Sequence, residues 1–146
     1  KRPATIPTLL RYKTHIANNS LYNTVPTFPV YMLCLVTRWL KAKGGLEAMQ
    51  QQNADKAAKL YTMIDSTDFY TATAVKECRA DMNVTFRIAN NELEAEFIAE
   101  AAKQNLSGLK GHRSVGGIRA SIYNAFPVEG VDALISFMKE FEAKHG

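Results

Sequence analysis

His112, Arg113 and Arg119 fall within eight residues of one another in the stretch GHRSVGGIRASIYNAFP, around the pair Gly116-Gly117. A guanidinium matches a carboxylate with two parallel hydrogen bonds and stays charged at any working pH, so Arg119 is the first candidate for holding an acid. His112 and Arg113 sit on a turn opened by Gly111, and the glycine pair lets backbone take a positive φ or approach a ligand closely, as anion-binding loops often need. Three such groups are what a small, doubly anionic metabolite would require. A tight turn with a solvated His-Arg pair is the competing reading, and the residue types alone leave both open. The glycines fit neither GxxxxGKS/T nor GxGxxG, so a nucleotide-cradling loop is not indicated.

Asn23-Thr24, in LYNTVPTFP, adds an amide and a hydroxyl just ahead of a helix, groups that donate to phosphate oxygens or, equally, serve as turn and cap residues. No catalytic engine is visible: there is no Ser/His/Asp or Cys/His arrangement, no HExxH, and no carboxylate pair on a cleft-facing element. His15 and His145 are expected to be exposed, one in an irregular arm and one at a fraying end. None of the lysines sits in an apolar setting that would lower its pKa. Cys34 and Cys78 stand far apart with no metal-ligand spacing, so no metal site or disulfide is signalled and two buried, reduced thiols are expected.

Residues 1–26 carry Pro3, Pro7 and Pro26 and few periodic apolar positions, which reads as an extended arm without its own core. From Thr27, placed to cap, a helix of about sixteen residues runs toward Gly44-Gly45, with Pro29 in its first turn. Leu46, Met49, Asn53, Ala57, Leu60 and Ile64 then recur at spacings of three and four, giving a second helix on which Lys56 and Lys59 stay wet. MNVTFRI at 82–88 alternates with period two and is the clearest strand. Asn91 followed by Glu94 begins a helix in capping-box fashion, running to about Asn105. A short strand at Leu109 follows Gly108. Ile118, Ala120 and Ile122 alternate with Arg119, Ser121 and Tyr123 in another strand, whose polar face aims Arg119 from a rigid element. A last helix carries Val131, Leu134, Ile135, Met138 and Phe141. The fold class is α/β in the two-layer α+β sense, a small sheet with helices packed on one face.

The 146 residues, 47% of them hydrophobic, suffice for one ordinary globular domain. A net charge of +4, from scattered Lys and Arg, falls short of a nucleic-acid binder and lacks interleaved stacking aromatics. The run VYMLCLV at 30–36 is well short of the ~20 residues of a membrane span. Lys1 begins the chain without a methionine, and no secretory signal is recognisable, so a processed N-terminus or a piece of a longer protein is expected.

The segments YNTVPTFPVYMLCLVTRWLKAKGGLEAM, LYTMIDSTDFY and LKGHRSVGGIRASIYNAFPVEGVDALISFMKEFEAKHG resemble the C-terminal part of the phosphoserine aminotransferase family, of the class-V, fold-type I kind that depends on pyridoxal phosphate. NT-x-PTF followed by GHR-x-VGG-x-RAS-x-YNA is more specific to that family than any one part of it, and the likeness covers nearly the whole chain, which is less than half the length of a family member. Val25, Ser114 and Ile118 depart from the residues frequent in the family, and none removes a polar ligand.

The resemblance implies a cytoplasmic homodimer that converts 3-phosphohydroxypyruvate and L-glutamate to O-phospho-L-serine and 2-oxoglutarate, serving serine and, in many bacteria, pyridoxine biosynthesis. It also implies that Asn23 and Thr24 contact the phosphate of a cofactor held by the partner subunit, that Arg119 binds the substrate α-carboxylate, and that His112 and Arg113 lie near the side-chain phosphate or glutamate carboxylate. Residues 1–26 would be the remnant of a large cofactor-binding domain and 27–146 the C-terminal small domain. The family's Schiff-base lysine, its ring-stacking aromatic and its pyridine-pairing aspartate precede the region present, so no catalytic residue is expected in this chain and isolation should leave it inactive. The alternative is a stand-alone, non-catalytic anion-binding domain related to the family. Binding of nucleic acid or membrane is not expected under either reading.

Overall fold

The computed structural model describes residues 6–146. The beginning of the expected arm, with Pro3, lies outside them. The described elements are α1 (Tyr12–Ala17), α2 (Thr27–Ala42), α3 (Gly45–Asp65), β1 (Tyr70–Ala72), β2 (Asn83–Ile88), α4 (Glu94–Lys103), β3 (Ile118–Ser121) and α5 (Val128–His145). They fall into two compact units that divide between Gly45 and Leu46.

In the unit ending at Gly45, the segment expected to be extended contains a 3₁₀ turn at Thr8–Leu10 and the short helix α1. His15 lies on that helix, half-buried, its Nε2 2.7 Å from the carbonyl of Leu9, and is not free in solvent. The helix α2 has the expected length, but Thr27 is its first residue and no side chain caps it; the Thr27 hydroxyl instead points back to the carbonyl of Val25 at 3.5 Å. Phe28, Leu33 and Val36 are exposed, and α2 has no buried residue. Cys34 is half-buried and Cys78 exposed, so both thiols are free but neither is the buried thiol expected.

The unit Leu46–Gly146 is built on a three-stranded antiparallel sheet in the order β1-β2-β3. Register follows from alternation: Val84 pairs with Ala120 and Phe86 with Ile118 on the buried face, while Thr85 pairs with Arg119 on the other. Slipping by one residue would put Phe86 in water. The strand β1, unforeseen because it is only three residues long, pairs Tyr70 with Ile88 and Ala72 with Phe86. Near Leu109 there is no strand, only a single bridge between Lys110 and Ile118.

One core joins the buried sheet face to α3, α4 and α5. Phe97 of α4 is its centre, with ring centroids 4.9 Å from Phe137, 5.1 Å from Phe141 and 6.1 Å from Phe86. Each such ring contributes about 2–3 kcal/mol by leaving water. Tyr70 joins this core through its ring and donates its hydroxyl to the carbonyl of Met138 at 2.8 Å, and burial raises its pKa. His145, expected at a fraying end, stacks on Phe141 with centroids 4.3 Å apart. The small sheet with helices on one face is therefore as expected.

Two local expectations fail by short distances with clear causes. The helix after β2 begins as a 3₁₀ turn at Asn91–Leu93, and its cap is Asn90, whose side chain accepts from the Glu92 amide at 3.1 Å. Lys56 is not wet: it is fully buried, because its long stem crosses the edge of the core and its ammonium reaches backbone carbonyls on the far side.

Candidate anion-binding site

The sheet face opposite the core carries Asn83, Thr85, Arg87, Arg119 and Ser121, all half-buried. Period-two geometry puts them on one side and strand pairing sets their spacing. The hydroxyls of Thr73 and Thr85 are hydrogen-bonded to each other, so the Thr85 side chain next to Arg119 already has its partner. Ser121 Oγ donates to Asn83 Oδ1 at 3.2 Å, and the hydroxyl of Tyr123 lies 3.3 Å from Asn83 Nδ2, its donor. Hydrogen bonds from Asn83, then Ser121, with the nearby Arg119 charge, hold the Tyr123 phenol below the ordinary tyrosine range.

Arg119 stands apart in this row. Among the described residues its guanidinium has no hydrogen-bond or ion-pair partner, and its Nε is shielded from solvent without an acceptor. By contrast, Arg79 is held by Asp65 at 2.7 Å and Arg87 lies 3.4 Å from Glu94. A half-buried guanidinium left unpaired costs stability unless a ligand supplies the acceptors.

His112 and Arg113 are exposed on the turn that leads into β3. The turn is closed at its base by the Gly111 amide donating to the Gly117 carbonyl at 2.9 Å, and within it the Gly116 amide donates to the His112 carbonyl at 2.8 Å. His112 Nδ1 lies 2.7 Å from Ser114 Oγ. Gly116 and Gly117 take φ of +74° and +73°, so the glycine pair is there for backbone reasons. Between this turn and the start of α4 lies an open cleft of about 450 Å³, lined among others by Lys110, His112, Arg113, Asn91 and the carboxylate of Glu94.

Arg119 does not line that cleft. The structure thus places the three cationic residues on one turn-and-strand segment, with Arg119 two residues beyond Gly117 on the polar face, but not in one pocket. A second cavity of about 490 Å³, bounded by Leu109, Ile122, Phe126, Val131 and Leu134, is apolar and contains none of the three. Glu96, Glu100 and His145 bring possible ligand atoms within 4.8 Å of one another, but Lys144 takes Glu100 in an ion pair at 2.6 Å.

Asn23 and Thr24 lie in the other unit, both exposed. The Asn23 amide donates to the Thr24 carbonyl at 3.1 Å, while the Thr24 hydroxyl has no partner among the described residues. Sequence reasoning missed Arg87 and Lys56. For Arg87 the alternation of MNVTFRI was available as a signal, since it puts that residue on the same face as Arg119; for Lys56, which sits three residues after Asn53 and one before Ala57 on the apolar stripe, the spacing was.

A profile of the Aminotransferase class-V family matches residues 6–134. The phosphoserine aminotransferase of Herpetosiphon aurantiacus is 56% identical over 142 residues, covering 97% of this chain and 39% of that protein. That of Desulfatibacillum aliphaticivorans is 52% identical over 99% of this chain and 40% of its own length. Among solved structures, the phosphoserine aminotransferase from Bacillus circulans subsp. alkalophilus gives a TM-score of 0.91 at 50% identity, covering 99% of this chain and 40% of that one. The phosphoserine aminotransferase with bound PLP from Trichomonas vaginalis gives 0.83 at 39% identity, covering 94% of this chain and 39% of that one. The chain therefore spans about 40% of the length of the relatives it matches. The fold expected from the resemblance is borne out by these structures.

Proposed function

As the chain belongs to the class-V aminotransferase family, we propose that it is the C-terminal part of a phosphoserine aminotransferase and contributes the anion-holding half of its substrate site. The reaction moves the amino group of L-glutamate to 3-phosphohydroxypyruvate, in serine biosynthesis and, in many bacteria, pyridoxine biosynthesis. The observation that carries the reading is the unpaired guanidinium of Arg119 on β3.

Both amino acids and both oxo acids of this reaction have an α-carboxylate and a second anion at the far end. Arg119 supplies two parallel donors to the α-carboxylate, and the neighbouring Tyr123 and Ser121 hydroxyls, both hydrogen-bonded to Asn83, add polar groups beside it. His112 and Arg113 meet the distal phosphate or γ-carboxylate from the turn ahead of β3, so one set of residues serves both substrates in turn. The polar face must be covered for these charges to act at full strength. The cover would come from the part of the longer protein that this chain does not include.

The cofactor implied is pyridoxal phosphate, which supplies an electron-withdrawing carrier for the amino group. Asn23 and Thr24 fit its phosphate end: an exposed amide and an unpartnered hydroxyl are neutral donors suited to phosphate oxygens. In a homodimer they would reach the cofactor of the partner subunit. No helix among the described residues is long and apolar enough to cross a membrane; the cytoplasmic placement we propose rests on the family resemblance.

The test is amino transfer from O-phospho-L-serine to 2-oxoglutarate. A protein that includes the preceding large domain should turn over, while the 146-residue chain alone should not. Turnover by the isolated chain, or none by the longer protein, overturns the reading.

A further inference from the structure

We propose that Arg87 is a positioning residue that fixes the distance between the two anion-holding elements, and so sets the length of dianion the site accepts. The inference rests on the functional reading above for its substrates but not for its geometry.

The turn carrying His112 and Arg113 is shaped by its own hydrogen bonds, from the Val115 and Gly116 amides to the His112 carbonyl at 2.9 and 2.8 Å. Those bonds give the turn its form without tying its tip to anything. Among the described residues, the hydrogen bond that joins residues 112–116 to another element is the one Arg87 donates, through Nη2, to the Val115 carbonyl. The other side of the same guanidinium lies 3.4 Å from the carboxylate of Glu94, the first residue of α4, which is largely shielded from water. Arg87 is thus a rigid strut from β2 with one prong on the turn and one on the helix, and its charge is balanced by Glu94 and does not compete for substrate.

The glycines complete the fit. A Cβ on Gly116 would lie 3.4 Å from Arg87 Nη2, and one on Gly117 would lie 3.4 Å from Arg87 Cγ and 3.1 Å from the Phe86 carbonyl. The contacts with Arg87 would be ordinary ones, so the turn packs on the arginine without strain, while the bareness of Gly117 admits both its positive φ and the close Phe86 carbonyl.

The strand β2 then acts as a ruler. Thr85 pairs directly with Arg119, and Arg87 stands two residues further along the same face, about 7 Å away at the usual rise of a strand. The strand bearing Arg119 is thus registered at Thr85 and the turn is tied at Arg87, two positions along the same strand, and Arg87 is the link that transmits that spacing to the turn.

The experiment uses the full-length protein and compares wild type with Arg87→Met, Arg87→Lys and Glu94→Gln. Arg87→Met should raise KM for O-phospho-L-serine and L-glutamate about 10-fold with kcat changed far less, while the rate with L-alanine, which has no distal anion, stays within about 2-fold. Arg87→Lys should recover part of the loss, and Glu94→Gln, which leaves the bond to Val115, should show a smaller effect of the same kind. Amide exchange at Val115, Gly116 and Gly117 should rise in Arg87→Met. An equal loss for all three amino donors, or unchanged exchange in the turn, overturns the inference. A wild-type protein inert toward O-phospho-L-serine would instead sink the functional reading, and the exchange measurement would still decide the strut.

Discussion

Lys56 Nζ donates to the carbonyl of Tyr123 at 2.7 Å, and the same ammonium reaches the carbonyls of Ile122 at 3.1 Å and Phe126 at 3.2 Å. A buried ammonium thus occupies a cage of three carbonyls at the point where the chain leaves β3 for α5. Burial pushes its pKa down, yet three acceptors compensate for the water it has lost.

Lys56→Met should therefore be costly although methionine fills similar space. It leaves three carbonyls without their shared donor, a loss of about 2–4 kcal/mol in unfolding free energy. Urea unfolding checks the figure, and a loss under about 1 kcal/mol would mean that water enters and replaces the ammonium.

Arg79 grips Asp65 through two bonds of 2.7 Å, and this hydrogen bonding holds the Asp65 carboxyl below its ordinary value of 3.8. A carboxyl with a lowered folded-state pKa stabilises the fold above its unfolded-state pKa and loses that contribution as pH falls through the folded-state value. Asp65→Asn should cost about 1 kcal/mol at neutral pH, discounted for partial exposure, and the gap to wild type should close as pH falls through the lowered Asp65 value. Unfolding curves measured from pH 6 down to pH 2 test this. A gap that stays constant with pH would assign the effect to packing and not to charge.

Arg119→Lys in the full-length protein should weaken binding of both oxo and amino acids about 10- to 100-fold, because a point ammonium cannot reproduce two parallel bonds from a planar fork. The Thr85 pairing and the strand itself should survive, since Arg119 bonds to neither through its side chain. Unchanged kinetic constants would remove Arg119 from the carboxylate site.

What the sequence revealed and what it concealed divide along physical lines. Val84, Phe86 and Ile88, and later Ile118, Ala120 and Ile122, announce their strands because the alternation is long enough to have a period. The three residues of β1 have none, and its place beside β2 goes with the burial of Tyr70 in the aromatic core against Phe86 and Phe97. The placing of Arg119 on the polar face was legible for the same reason as the strand. The roles of Lys56 and Arg87 were not, since each depends on carbonyls of a loop distant in sequence, Phe126 for one and Val115 for the other. Charge on a helix or strand predicts exposure on average, and it fails where a loop folds back to offer oxygens.

Gly111 provides the sharpest test of the turn. Its flanking glycines at 116 and 117 need positive φ, but Gly111 is constrained by space: a Cβ there would lie 2.1 Å from the Gly116 carbonyl oxygen and 2.6 Å from that of Gly117. Those oxygens belong to the main chain and cannot swing aside as a side chain would. Gly111→Ala must therefore break the closing bond from the Gly111 amide to the Gly117 carbonyl, displace the turn and carry His112 and Arg113 with it. The core beneath, from Ile118 onward, need not move, so the cost in stability should stay at about 1–3 kcal/mol. The effect on function should be larger and selective, with affinity for doubly anionic substrates falling more than that for L-alanine. Equal affinity of wild type and Gly111→Ala for O-phospho-L-serine would show that the position of this turn has no part in holding the distal anion.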